Sequence, residues 1–218
     1  MIKFFRKIRQ DLLSKGKTGK YLKYAIGEII LVVIGILLAL QINTWNENRI
    51  DSKRLNLYTQ SLLNDLELDK KRLIECMVFD STKVSIIDRL SDPVQDFIED
   101  LSDRGILTIK SIKVNNATFK TMSSNNDLEL YQNIDLQNSI SKYYADVEYV
   151  IRFENVYINN SYSNFVEFVT RNRGYTLEGL KGYLSFMKSA SENESDWYKE
   201  LIGLNESITK KLKDQLKK

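Results

Sequence analysis

The stretch from Ala25 to Trp45 constrains this chain more than any other. Of its 21 residues only Glu28, Gln41, Asn43 and Thr44 are strongly polar, and Ile29 to Leu40 is unbroken apolar sequence. As an α-helix it would be roughly 31 Å long, about the thickness of a bilayer's hydrocarbon core. A helix apolar on every face must be buried in lipid or in a large core, and the rest of the chain is too polar to supply that core. Residues 24–45 are therefore predicted to form a transmembrane helix.

The flanks give it a direction. Residues 1–23 carry eight basic side chains against Asp11 alone, a net of +7, which leaves −4 for the remainder of a chain whose total is +3. Basic residues before a span mark its cytoplasmic side. The N-terminus is thus expected in the cytoplasm and the C-terminal domain in the periplasm, with the span in a bacterial inner membrane. Tyr21, Tyr24 and Trp45 fit the two interfacial aromatic belts. In residues 1–13, Met1, Phe5, Ile8 and Leu12 share one helical face while Lys3, Arg6, Lys7 and Arg9 fill the other. That pattern predicts an amphipathic helix on the anionic lipids of the inner leaflet, with Lys20 and Lys23 adding to the basic surface. A nucleic-acid partner is not expected, because the patch is small and the adjoining span would hold it at the membrane. The basic segment is long for a signal peptide, and Leu37 and Ala39 make a poor cleavage site, so an uncleaved signal anchor is favoured.

Composition narrows the rest. There is no His, so the commonest general acid/base and metal ligand are both missing. A single cysteine, Cys76, rules out an internal disulfide framework. One proline and nine glycines in 218 residues favour long helices over a turn-rich β architecture.

After Trp45 a helix is predicted to continue to about Ser91. Leu55, Tyr58, Leu62, Leu66, Leu73, Met77, Val84 and Ile87 form one stripe, and Leu63, Ile74 and Leu90 widen it to a core-facing surface rather than a coiled-coil seam. Asp80–Lys83 reads as an interruption and Asp92-Pro93 as the stop, followed by a short helix over 93–103. Ile106–Val114 has no partner strand and is predicted to be an extended connector. Ala117–Ser123 reads as a helix with Asn116 as N-cap and Asn125-Asn126 able to turn left-handed at its end, then a short turn over 128–131. Asp135 is expected to cap a helix in which Leu136, Ile140, Tyr143, Tyr144, Val147, Val150 and Ile151 share a face. Asn159–Ser161 would break it before Phe165–Val169. Gly174, Gly179 and Gly182 suggest a looser region. Trp197, Leu201, Leu204, Ile208, Leu212 and Leu216 form a last stripe, started by the SENES run at 191–195. The fold class is therefore all-α: an N-terminal amphipathic helix within a basic cytoplasmic segment over 1–23, a transmembrane helix over 24–45 and a periplasmic helical bundle over 46–218.

The block IKFFRKIRQDLLSKGKTGKYLKYAIGEIILVVIGILLALQINTWNE resembles the hallmark of a Bacteroidota family of small single-pass membrane proteins that carry a domain of unknown function. The likeness is densest in GKYLKYAIGEI, around Gly35-Ile36-Leu37 and in Gln41-Ile42-Asn43. ATFKTMSSNNDLELYQNIDLQNSISKYY (117–144) is similar to the family's second recognisable stretch, where relatives are expected to have Gly at Asn125-Asn126. The resemblance implies an inner-membrane protein with a helical periplasmic domain. It brings no activity, cofactor or catalytic residue.

Few residues stand out as candidates for chemistry. Glu28 lies one turn into the span, where a carboxylate is costly. It is read either as reaching the inner headgroups and Lys20 or Lys23, or as part of a packing face. Gly27, Leu31, Gly35 and Ala39 recur every four residues, a small-residue pattern that allows close helix approach, with Glu28 beside it. Asp65/Glu67/Asp69 and Glu192/Glu194/Asp196 lack a calcium-loop pattern and are read as solvated faces. Tyr143, Tyr144, Tyr149, Tyr157 and Tyr162 are read as core and rim packing before a ligand pocket, and Cys76 as a small core residue. No phosphate loop, dinucleotide fingerprint, nucleophile elbow or zinc signature is present. The chain is therefore not expected to be an enzyme or to hold a cofactor or metal. The leading expectation is an accessory subunit that binds an envelope protein or a second copy of itself. A ligand-sensing module signalling through a partner comes second, and an enzyme with carboxylate chemistry third.

Overall fold

A computed structural model describes residues 18–89, 110–158, 160, 163 and 177–217. The predicted amphipathic helix with Lys3, Arg6, Lys7 and Arg9, the short helix over 93–103, Leu90, Phe165–Val169 and Gly174 all lie outside these residues, as do the side chains of Lys20, Tyr21, Tyr157 and Tyr162. The described elements are α1 (Thr18–Arg89), α2 (Ala117–Ser124), a 3₁₀ turn (Asp127–Leu130), α3 (Ile134–Phe153), a π turn (Glu154–Ile158) and α4 (Leu177–Gln215). Among the described residues there is no strand.

The chain divides into two compact units, Met1–Arg54 and Leu55–Lys218. In the first, α1 contains the one described helix long and apolar enough to cross a membrane, with a stretch of mean hydropathy 2.6, none of it buried by protein. Ile29, Leu31 and Ile42 are each more than 60% exposed. So large an apolar surface with no protein cover is the reverse of a soluble core.

The second unit is a bundle of three main helices around one core. Its packing follows a narrower rule than the sequence suggests. On α1 the buried residues are Thr59, Leu62, Leu66, Asp69, Leu73, Cys76, Asp80 and Lys83, in alternating steps of three and four. On α3 the series Leu136, Ile140, Tyr143, Val147, Val150 and Glu154 keeps the same alternation. On α4 it runs from Leu180 through Leu184, Met187, Ser191, Glu194, Tyr198, Leu201, Asn205 and Ile208 to Leu212. A 3–4 alternation is the seam of helices packed side by side along their length. Leu63 widens this face as expected and packs against the core, whereas Ile74 is 38% exposed and several seam positions are polar. Asp80–Lys83 does not interrupt α1, because both side chains turn inward and pair at 3.8 Å.

Four further expectations change. Gly179 and Gly182 do not loosen the chain, since both lie inside α4, and the SENES run is not its start. Leu216 ends that helix's stripe in solvent rather than in the core. Asp135 does not cap α3. Asn133 does, its side chain accepting the Leu136 amide at 3.2 Å, while Asp135 pairs with Lys211 of α4 at 2.6 Å. An N-cap needs the extended backbone that Asn133 has at φ −90°, ψ 102°, whereas Asp135 is already in the helix.

Residues 110–116 form a connector without regular secondary structure, and residues 106–109 of the predicted extended run lie outside the described residues. Asn116 precedes α2 but makes no side-chain cap. Asn126 takes φ 61°, ψ 18°, the left-handed conformation, and is the one described non-glycine residue with positive φ. A side chain with a Cβ costs energy there unless it is Asn or Asp. Asn126→Ala is expected to lower stability by about 1 kcal/mol, and Asn126→Gly to leave it within about 0.5 kcal/mol, when thermal unfolding of the two variants is compared.

Candidate functional site

The proposed membrane packing face lies wholly within α1. Gly27, Leu31, Gly35 and Ala39 are exposed and Glu28 is half-buried. A methyl group built on Gly27 or Gly35 would meet nothing within 4 Å. Tyr24 and Trp45 are 57% and 67% exposed, and Lys23 is exposed too. No other part of the described chain covers this surface.

The polar chemistry of the second unit is concentrated inside it, at two levels of the bundle. At the first, α1 carries Asp65, Asp69, Arg72 and Glu75 in steps of four, three and three, and all four hold neighbouring segments. Asp65 accepts from the Thr118 hydroxyl at 2.6 Å and Asp69 from the Asn115 amide at 2.8 Å. Arg72 donates to the Lys113 carbonyl at 2.7 Å and Glu75 accepts from Lys110 at 3.1 Å. The connector is thus buttoned along one edge of α1. Asp69 is fully buried, and Tyr143 donates to its other oxygen at 3.4 Å. Asn205 of α4 completes the layer, donating to the Leu66 carbonyl at 2.9 Å and to the Tyr143 hydroxyl at 3.4 Å. Burial pushes Asp69 up to about 6, with the Asn115 amide and Arg72 opposing it. Reading Asp65/Glu67/Asp69 as a solvated face was wrong for Asp65 and Asp69: one is a seam residue and the other bonds α2.

At the second level five side chains from three elements meet. Asp80 and Lys83 come from α1, Glu154 opens the π turn, and Glu194 and Tyr198 lie one turn apart on α4; each is no more than 3% exposed. Glu154 accepts from the Ile112 amide at 3.1 Å and from the Tyr198 hydroxyl at 2.9 Å. The π turn fits this position: one extra residue in the helix turn re-aims side chains, and such turns recur at functional sites. Lys83 also lies 5.0 Å from the centroid of the Phe79 ring. Glu194 differs from the other two carboxylates. Its Oε1 atom is buried and accepts no hydrogen bond.

Electrostatics follow from that geometry. Burial pushes Asp80 up to about 6, with the Lys83 ammonium opposing it. Glu154 is raised by burial and held back chiefly by the Tyr198 hydroxyl and the Ile112 amide. Burial, reinforced by Asp80 and Glu154, pushes Glu194 up to about 8. Lys83 is lowered by burial, while Asp80 and Glu194 act against that. A buried carboxylate with one oxygen left without a donor, facing two others, is cheapest as the neutral acid.

The family model for DUF6090, a family of unknown function, matches residues 28–180, more than half of the chain. The chain belongs to this family. No curated protein and no solved structure matches it. The part matched to DUF6090 takes in the apolar stretch from Glu28 onward, the connector and its buttons on α1, and Asp80, Lys83 and Glu154. It ends at Leu180, before Ser191, Glu194 and Tyr198, so the α4 half of the charged level lies beyond the matched residues.

Within this DUF6090 chain, the residues missed in the sequence were Thr59, Asp80, Lys83, Glu154 and Asn205. Their signal was positional. Each sits on the 3–4 alternation of its helix, where an apolar residue belongs. Reading Glu192/Glu194/Asp196 as uniformly solvated was wrong for Glu194 for the same reason. Tyr143 and Tyr144 are core residues as expected, with rings 5.1 Å apart edge to face, whereas Tyr149 is 59% exposed. On the outside of the α1–α4 seam lies an open groove of about 750 Å³, with Leu63 and Asn205 in its lining and the Lys70–Glu206 pair at 2.6 Å across it. Among the described residues no group of three or more Cys, Asp or Glu side chains is placed to hold a metal ion.

Proposed function

We propose that the protein is a non-catalytic accessory subunit, anchored by the apolar part of α1 in a bacterial inner membrane, whose helical domain holds another envelope protein or a second copy of the chain. One observation carries this reading: the apolar part of α1 is exposed on every face, Gly27, Gly35 and Ala39 included, so cover must come from lipid or another helix. Orientation with the N-terminus inside rests on the +7 charge of residues 1–23. Asp69 and Glu154 accept from backbone amides and tyrosine hydroxyls and Asp80 pairs with Lys83, contacts that support a structural use of these carboxylates.

The test is native purification of tagged full-length protein from mild-detergent membranes, with mass spectrometry and a mass determination of the complex. Expected results are retention in the membrane pellet after alkaline carbonate washing and a stoichiometric partner or homo-oligomer. Gly35→Leu combined with Glu28→Leu is expected to reduce recovery of that partner at least tenfold. Release of the protein by carbonate, or recovery of the chain as a lone monomer, would overturn the proposal.

A further inference from the structure

The two polar levels of the bundle are not equivalent. In the Asp69 level every buried group has a complementary donor or acceptor. In the second level three carboxylates come from three different elements, with Lys83 acting on Asp80 and Glu194. Asp80 is paired with Lys83 on α1, and Glu154 on the π turn is held by the Ile112 amide and Tyr198. Glu194 on α4 is 3% exposed, faces Asp80, Lys83 and Glu154, and has a carboxyl oxygen that receives no donor. An ionised carboxylate left that way costs several kcal/mol, so folding would favour any state in which the charge is removed. From this geometry we propose that Glu194 is a proton-binding site: the bundle closes with a proton on Glu194 and loosens at the α1–α4 seam when that proton leaves.

The direction follows from linkage. Glu194 stands at about 8 when folded, against an ordinary value of 4.5. Between those values the folded chain holds a proton that the unfolded chain has released, so stability falls as pH rises and levels off above about 8. Asp69 and Asp80 act in the same sense but only up to about 6. Glu154 also acts in that sense, and Lys83 in the opposite one, its stability contribution improving with rising pH below 10.5. The remaining neighbours are Tyr198 on α4, raised well above its usual value, and the Cys76 thiol on α1, pushed up to about 11; both stay neutral throughout. Of Asp69, Asp80 and Glu194, only Glu194 reaches beyond about 6, and Glu154→Gln separates its contribution from that of Glu154. A compartment open to the surroundings would pass through the interval from pH 6 to pH 8, which would make the seam a reporter of external acidity.

The experiment uses full-length protein in lipid nanodiscs. Thermal unfolding is recorded from pH 5.5 to 9, with infrared titration of the protonated-carboxyl carbonyl stretch and hydrogen exchange over residues 184–198. For the wild type, Tm is expected to fall by roughly 3–5 °C per pH unit between 6 and 8 and then level off. The infrared band is expected to disappear with a midpoint near 8, and amide protection in residues 184–198 to drop over the same interval. Glu194→Gln, which copies the neutral acid, is expected to lose the band, flatten the slope and melt above the wild type at pH 8. Glu154→Gln is expected to keep both band and slope, with the midpoint moved below that of the wild type because one of the charges that raise Glu194 is gone. The proposal is overturned if the wild type shows no protonated-carboxyl band at pH 7, if Glu194→Gln keeps the slope, or if Glu154→Gln removes band and slope instead. Should Glu194→Gln fail to accumulate, the wild type and Glu154→Gln together still decide.

Discussion

Replacing Tyr143 with alanine is expected to lower the unfolding free energy of the helical domain by about 4 kcal/mol. The side chain is fully buried and bonds to both other long helices. Its hydroxyl donates to Asp69 of α1 at 3.4 Å and accepts from Asn205 of α4 at 3.4 Å, and its ring packs edge-on against Tyr144. Alanine removes the ring's burial, leaves a cavity at the centre of the seam and strips both polar partners at once. Domains commonly have only about 5–15 kcal/mol in hand, so the variant should give up a large share of the total. Tyr143→Phe separates the contributions. It keeps the ring and deletes only the hydroxyl, so about 1–2 kcal/mol should go. Urea unfolding followed by tryptophan fluorescence measures both, because Trp197 packs within 5.7 Å of Tyr149 and 4.7 Å of Phe153 between α3 and α4. Equal effects from the two substitutions would show that the polar layer, not the packing, dominates at this level.

Glu154→Ala should cost about 3 kcal/mol, and for a different reason. Here little apolar burial is lost; two donors are left with nothing to bond. The Ile112 amide and the Tyr198 hydroxyl both end on this carboxyl, at 3.1 Å and 2.9 Å, in a setting that water does not reach. An amide or hydroxyl buried without its acceptor carries the whole penalty of leaving water. Glu154→Gln keeps an acceptor oxygen and removes a negative charge facing Asp80 and Glu194, so it should stay within about 1 kcal/mol of the wild type. The contrast between the two substitutions in urea midpoint at pH 7 is the check. A loss from glutamine as large as that from alanine would mean that the charge itself is required. The connector gives a second readout: without Glu154 its Ile112 amide loses its partner, and exchange at residues 110–114 should accelerate.

Much of the architecture was legible from residue order. The long apolar part of α1 announced itself because twelve apolar residues in a row, Ile29 to Leu40, have no use in a small water-soluble domain. The core faces of α3 and of the last half of α4 were legible for the same reason, being mostly apolar at helical spacing. What was not legible was the company those residues keep. Asp69, Asp80 and Lys83 fall on the α1 seam, and an apolar-only reading takes them for breaks or for a wet face. Only a partner makes a buried carboxylate affordable, and the partners lie far away in sequence: Asn115 and Tyr143 for Asp69, Ile112 and Tyr198 for Glu154. The same blindness placed the cap of α3 at Asp135 instead of Asn133, since both are good capping residues and the backbone angles decide. Gly179 and Gly182 misled because glycine weakens a helix by only about 1 kcal/mol, which the packing of Leu180 and Leu184 on either side offsets.

Cys76, last, determines which labelling chemistry is open to the experimenter. Its thiol is 2% exposed in the α1 seam, and burial pushes it up to about 11, so at neutral pH it is neither reachable nor present as thiolate. The folded protein should therefore be silent towards maleimides without any background substitution. A single cysteine introduced before the apolar stretch, and another after it, can each be labelled alone with a membrane-impermeant reagent in whole cells. The native sequence thus already provides the blank against which its own topology can be mapped.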